Sequence, residues 1–192
     1  MRMAFSPLSP ATSNHSSHDM FGLAVRRCQN AGVAMMDLAE AKRILAALGR
    51  EGVEYVLVGS MAMAAQGLVR ATRDLDFLVA PTPPNIERLK KALKSLYADD
   101  ASIDEISVED LAGQYPAIQY VPPQGDYSID ILSRPGEAFR YEGIEREDVV
   151  LDGVRVHVAT PRMLFRMKKD TVRPQDRLDA EALRQAFELK DE

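Results

Sequence analysis

The sequence predicts an α+β fold, and three observations point to it. From Asp37 onward, segments with apolar residues at helical spacing alternate with short β-branched runs. Two pairs of those runs are separated by turn sequences that make hairpins, Pro122-Pro123-Gln124-Gly125-Asp126 and Asp152-Gly153. The 192 residues suit one domain, large enough to bury most of its unfolded surface without a disulfide or metal staple.

Each element follows from a local signal. Leu38, Ala41, Ile44, Leu45 and Leu48 recur at helical spacing, and Gly49 and Gly52 close that helix. Residues 53–58 form a dense apolar strand ending at Gly59-Ser60, and residues 61–66 a short helix ended by Gly67. Residues 75–79 read as a second strand. Residues 84–96 read as an amphipathic helix with Pro84 near its first turn. The strands at 117–121 and 127–132 make the first hairpin, and those at 149–151 and 154–158 the second. In the last strand Arg155 and His157 share the polar face, which makes His157 a solvated strand residue. Thr160-Pro161 caps a helix to about Asp170, and Pro174 starts a final helix to about Leu189.

Composition narrows the function classes. Hydrophobic residues make up 46% and charged residues 28%, ordinary values for a soluble globular chain. Cys28 is the single cysteine, which excludes an internal disulfide framework and a cysteine-based zinc site. The longest near-apolar stretch, residues 55–65, is interrupted by Gly59-Ser60 and too short to span a bilayer, so no membrane partner and a cytoplasmic location are expected. Residues 1–34 are Ser-rich, carry His15 and His18, and show no hydrophobic period or secretory core. A disordered tail, or an over-called start ahead of Met35, is expected there, with the folded domain over residues 35–192. The net charge is −5, unevenly spread. No basic residue lies between Lys94 and Arg134, a stretch rich in acids that repels phosphate backbones. Residues 162–184 are basic on balance, so a polyanion would bind there or the charges line a solvated helical face.

Three constellations carry chemistry. A strand running into Gly59-Ser60 and a helix offers backbone N–H groups and a hydroxyl to a phosphate, although Ser60 also suits a plain N-cap. Downstream stands Arg70-x-Thr72-x-Asp74-x-Asp76, in which the two carboxylates share one strand face opposite Leu75 and Phe77. Such like charges call for a compensator, magnesium foremost, unless the face is open to solvent. Asp130 lies within the apolar run 127–132; if its strand adjoins the first, three carboxylates converge, and if not it is an edge-strand acid. Lys168 falls on the apolar stripe of its helix with Leu164, Phe165 and Val172, followed by Arg173-x-x-Asp176-x-x-Asp179. Asp176 then points inward, or serves as an N-cap with Asp179 in the first turn.

In this order the motifs resemble the nucleotidyltransferase (polymerase-beta-like) superfamily, over roughly residues 37–189. Within it they are similar to the AbiEii/MenT-like branch of toxin-type nucleotidyltransferases and their short relatives. The resemblance implies a small mixed β-sheet flanked by helices, with a short C-terminal helical segment and the site where the sheet meets the Gly59-Ser60 helix. It implies that Asp74, Asp76 and Asp130 are catalytic and bind Mg2+ or Mn2+, Asp130 also helping to activate the attacking hydroxyl. Gly59 and Ser60 would hold the β- and γ-phosphates of an NTP, Lys168 would contact the triphosphate, and Asp176 would orient that end of the site. Arg70 and Thr72 would support the carboxylate strand. The implied reaction moves a nucleoside monophosphate from an NTP to an acceptor hydroxyl, such as the 3′ end of a tRNA, with pyrophosphate leaving. An antitoxin protein is an implied partner. The full-length toxins carry a substantial helical region after the core. This chain ends about a dozen residues past Asp179, so little room for a dedicated acceptor-binding domain is expected. An aminoglycoside-type enzyme acting on a small hydroxyl compound is the alternative. A non-catalytic nucleotide-binding or toxin–antitoxin partner module is a further one, opposed by the joint presence of the three acids, Ser60 and Lys168.

Overall fold

The computed structural model describes residues 36–190 other than Gln114, Tyr115, Gln124 and Glu137. The tail expected over residues 1–34, with His15, His18 and Cys28, lies outside them. Helix α1 (Leu38–Arg50) starts where the Asp37 carboxylate accepts from the backbone N–H of Ala39. It buries Ala41, Ile44, Leu45, Ala47 and Leu48. Gly52, at a φ of 64°, turns the chain into β1 (Tyr55–Leu57), which is buried throughout. Helix α2 (Gly59–Ala65) follows directly, then β2 (Asp74–Val79) and α3 (Pro83–Lys94).

The acidic stretch behaves differently from a bare repulsive surface. Asp100 accepts from the N–H and hydroxyl of Ser102 at the start of a 3-10 turn, and Asp104 pairs with Lys94. Ser107 and Asp110 form a reciprocal capping box that opens α4 (Val108–Ala112). One turn of helix is too short to show a periodicity, so nothing in the apolar spacing of these residues announces α4. Asp100 and Asp110 therefore close helix ends, and Asp104 is neutralised by Lys94.

Strands β3 (Ala117–Tyr120) and β4 (Ser128–Leu132) form the first expected hairpin, and β5 (Arg146–Leu151) and β6 (Val154–Ala159) the second. At the second turn Asp152 and Gly153 both take positive φ, as a tight two-residue hairpin requires. His157 is only half-buried, but it does more than face solvent: its Nδ1 lies 2.6 Å from Asp148 across the hairpin, and its ring packs 5.6 Å from that of Tyr55. Helix α5 (Pro161–Lys169) is capped by the Thr160 hydroxyl, which accepts from Met163. Helix α6 (Pro174–Ala186) closes the described fold. Val172, expected on the apolar stripe, is exposed, because α5 has already ended at Lys169.

The six strands make one mixed sheet in the order β3-β4-β2-β1-β6-β5. The neighbours β1/β2, β3/β4 and β5/β6 are antiparallel, whereas β2/β4 and β1/β6 are parallel. Helices α1 and α3 pack on each other, as do α5 and α6. Asn85 locks the start of α3 to the sheet. Its side chain donates to the carbonyls of Glu54 and Ala80 at 2.9 and 3.0 Å and accepts from the N–H of Glu54 at 2.7 Å. It is fully buried, so its loss would leave the Glu54 N–H without a partner, while the Glu54 and Ala80 carbonyls would keep the N–H groups of Ala80 and Thr82. Asn85→Ala should therefore lower unfolding free energy by about 1–3 kcal/mol in a denaturant titration. An unchanged midpoint would contradict this bracing role.

Candidate active site

Strand β2 lies inside the sheet between β1 and β4, so its two acids do not sit at an edge. Alternation along the strand buries Leu75 and Phe77 in the core and turns Asp74 and Asp76 to the other face. Strand β4 does the same: Ile129 and Ile131 are fully buried, while Ser128 and Asp130 alternate with them. Parallel pairing sets Asp76 opposite Asp130 and Asp74 opposite Ser128. The adjacency that sequence alone left open is thus present, and Asp130 is not an edge-strand acid.

Each carboxylate has a distinct setting. The Ser128 hydroxyl donates to Asp74 Oδ1 at 2.7 Å, and the Gln119 amide donates to Asp130 Oδ1 at 3.1 Å. Asp76 lies against Gly59, where an added Cβ would collide with its carboxylate. Gly59 also has a φ of 65°, a second reason for glycine there. The backbone N–H of Val58 donates to the Asp76 carbonyl at 3.0 Å, fastening the turn before α2 to β2. Ser60 is buried in α2 and does not cap it; the N-cap is Val58, with no side-chain bond. The Thr72 hydroxyl bridges the N–H and carbonyl of Asp74 at 3.3 and 3.2 Å.

Electrostatics follow from this crowding. Burial, then the neighbouring charges of Asp130 and Asp74, push the Asp76 carboxyl up to about 7, while Lys168 and Arg70 pull it down. Asp130 is also raised, chiefly by burial and then by the charge of Asp74; the hydrogen bond from Gln119 and the charge of Arg173 oppose that rise. Three hard oxygen donors repelling one another on one face fit a magnesium-type cation. Among the described residues, no group of three or more His, Cys, Asp or Glu side chains stands ready to hold a metal ion.

A second cluster lies on α5 and α6. Lys168 is turned inward and nearly buried; its ammonium donates to Asp176 Oδ1 at 2.8 Å and Asp179 Oδ2 at 2.9 Å. Lys169 instead lies 5.7 Å over the Phe165 ring. Asp176 sits in the first turn of α6 but is not its cap, which is Arg173; it also accepts from Thr171 at 3.1 Å. Asp179 is the more buried acid and accepts from Gln175 at 2.9 Å. Arg70 Nε reaches it at 3.1 Å, an ion pair without hydrogen-bond alignment. Arg70, Lys168, Asp176 and Asp179 together are formally neutral. Asp179, Gln119 and Ser128 were not among the expected site residues. The i,i+3 spacing of Asp176 and Asp179 was a signal for the first, whereas nothing local marks the other two.

A family model described as "Nucleotidyl transferase AbiEii toxin, Type IV TA system" matches residues 43–187. No curated protein matches the chain. Among solved structures, the chain is similar to an antigenic nucleotidyltransferase-like protein from Paracoccidioides brasiliensis. The identity is 16% and the TM-score 0.49, over 80% of this chain and 79% of that one. It is also similar to ANT(2'')-Ia in complex with adenylyl-2''-tobramycin, at 13% identity and a TM-score of 0.46, over 76% and 86% of the two chains. A solution structure of ANT(2'')-Ia gives 16% identity and a TM-score of 0.43, over 80% and 93%.

The raised acid makes a stability prediction. Its folded value of about 7 exceeds the ordinary 3.8, so ionised Asp76 penalises the folded state, increasingly from about pH 4 to pH 7. In chelator, Asp76→Asn should stabilise the protein at about pH 8 by on the order of 1–3 kcal/mol, with the gain gone near pH 4. Thermal melts across that range check both the sign and the window. Gly59→Ala should cost about 1–3 kcal/mol in the same melts, from backbone strain plus displacement of Asp76.

Proposed function

Because the chain belongs to the AbiEii family of nucleotidyl transferase toxins, we propose that it is a metal-dependent enzyme that transfers a nucleoside monophosphate from an NTP to an acceptor hydroxyl. The observation that carries this reading is the row of acids: Asp76 opposite Asp130 across parallel strands, with Asp74 on the same face. Asp74, Asp76 and Asp130 would hold Mg2+ or Mn2+, which when bound neutralises charge on the reacting phosphates. The bond from the acceptor oxygen to the α-phosphorus forms, the bond to the bridging oxygen breaks, and pyrophosphate leaves. Asp130 takes the hydroxyl proton in this reading. Gly59 and Ser60 would hold the β- and γ-phosphates. Lys168 spends two of its three N–H donors on Asp176 and Asp179, and the third remains for the triphosphate. Asp176 thereby aims the ammonium rather than binding the nucleotide.

The proposed acceptor is RNA, with the 3′ end of tRNA as first candidate, and the proposed protein partner is an antitoxin. The antitoxin rests on the family's description as a toxin of a TA system, and the RNA acceptor on the resemblance to toxin-type nucleotidyltransferases. A cationic aminoglycoside acceptor would call on free acids such as those of the acidic stretch, and Asp100, Asp104 and Asp110 are engaged there in caps and an ion pair. Among the described residues, no helix is long and apolar enough to cross a membrane, and a cytoplasmic location is part of the proposal.

Incubating the protein with each α-labelled NTP, magnesium and tRNA or candidate small hydroxyl compounds tests the reading. Labelled product should require magnesium and disappear with Asp74→Asn. Lys168→Ala should lower the rate by at least about a hundredfold, whereas Lys169→Ala should stay near wild type. Equal losses would refute the assignment of Lys168. Absence of labelling with every NTP and acceptor would favour the non-catalytic binding module.

A further inference from the structure

The hairpin β3–β4 contributes one acid, yet it controls two. Gln119 on the edge strand β3 faces Asp130 directly across the antiparallel ladder, and Asp130 faces Asp76 across the parallel one. The three residues therefore form one row over three strands, on one face of the sheet. The Gln119 amide donates to Asp130 Oδ1 at 3.1 Å and approaches Ser128 Oγ at 3.4 Å. Ser128 spends its single hydroxyl proton on Asp74 Oδ1 at 2.7 Å, so toward Gln119 it can only accept. All donors in this chain thus run one way, from the amide toward the two outer carboxylates. Asp76, between them, is held separately against Gly59.

We propose that Gln119 is a positioning residue for the acid row, acting on Asp130 directly and on Asp74 through Ser128. This rests on the reading of Asp74, Asp76 and Asp130 as metal ligands. Three like charges on one face repel, and free side chains would rotate apart. Fixing one oxygen, Oδ1, of each outer acid to a protein donor holds both against that rotation. The other oxygen of each is left to meet a cation. Partners behind a ligand, when removed, typically weaken a metal site about 10- to 100-fold. Gln119 touches neither substrate nor cation in this arrangement. Its effect is on how the acids are held.

The test titrates the metal-free full-length chain with Mn2+, following free ion by electron paramagnetic resonance, alongside melting in chelator. Gln119→Met keeps the length of the side chain and removes both donors. It should raise the Mn2+ Kd about tenfold while moving the chelator Tm little. Ser128→Ala should also raise the Kd, and Ser128→Thr, which keeps the hydroxyl, should restore it. A merely structural role would lower Tm and leave the Kd alone. A wild-type Kd in Gln119→Met overturns the positioning role and leaves the metal-dependent reading standing. If that variant does not fold, equal Kd values for Ser128→Ala and Ser128→Thr overturn it instead. Failure of the wild-type chain to bind Mn2+ at all overturns both readings together.

Discussion

Asp76 and Asp130 stand opposite each other because β2 and β4 pair in parallel from Asp74–Ser128 to Leu78–Leu132. That register is one of several the two strands could adopt, and a slip by one residue would turn Asp130 into the core. The alternation of Ile129 and Ile131 with Asp130 forbids the slip, since it would expose two fully buried isoleucines. Core packing thus sets the geometry of the acids, although no acid is part of the core. The rest of the site is arranged around the repulsion that this register creates.

Two charge clusters answer that repulsion differently. The acid row is left short of positive charge, and Asp76 responds by holding its proton up to about pH 7. The cluster of Lys168, Arg70, Asp176 and Asp179 is formally neutral and tightly paired. The second is already satisfied by its own ion pairs, and the first is where the proposed cation would act. Arg70 connects them, because it lies on the segment leading into β2 and reaches Asp179 on α6. Asp179 is nearly buried, so removing either cation would leave an uncompensated charge. The α5–α6 pair is consequently anchored to the segment before β2 by charge.

Gly59 is where backbone and site meet. Its positive φ turns the chain from β1 into α2, and the absence of a Cβ lets the Asp76 carboxylate lie against it. The same short segment thereby serves the chain reversal and the placement of an acid. Asn85 plays a comparable part at the far end of β1 and β2, where its side chain adds three bonds beside the backbone bond from Ala80 to Glu54.

The local signals were sufficient for much of this protein. Period-two alternation showed that Asp74 and Asp76 share a face, helical phase turned Lys168 inward rather than Lys169, and Asp152-Gly153 marked its hairpin. These are properties of neighbouring residues, and the sequence states them directly. The order of the strands is not such a property. Nothing near Asp130 says that β4 lies beside β2, nothing near Gln119 says that its amide meets Asp130, and nothing near Arg70 points to Asp179. The first and last of those contacts join residues separated by dozens of positions, through crossovers whose course depends on how helices and sheet share one core. Gln119 and Asp130 stand 11 positions apart in one hairpin, whose register the turn did not state. The types of residue and the faces they occupy were determined by the sequence. Which faces meet was decided only by the packing, because parallel pairing has no turn of its own to announce it.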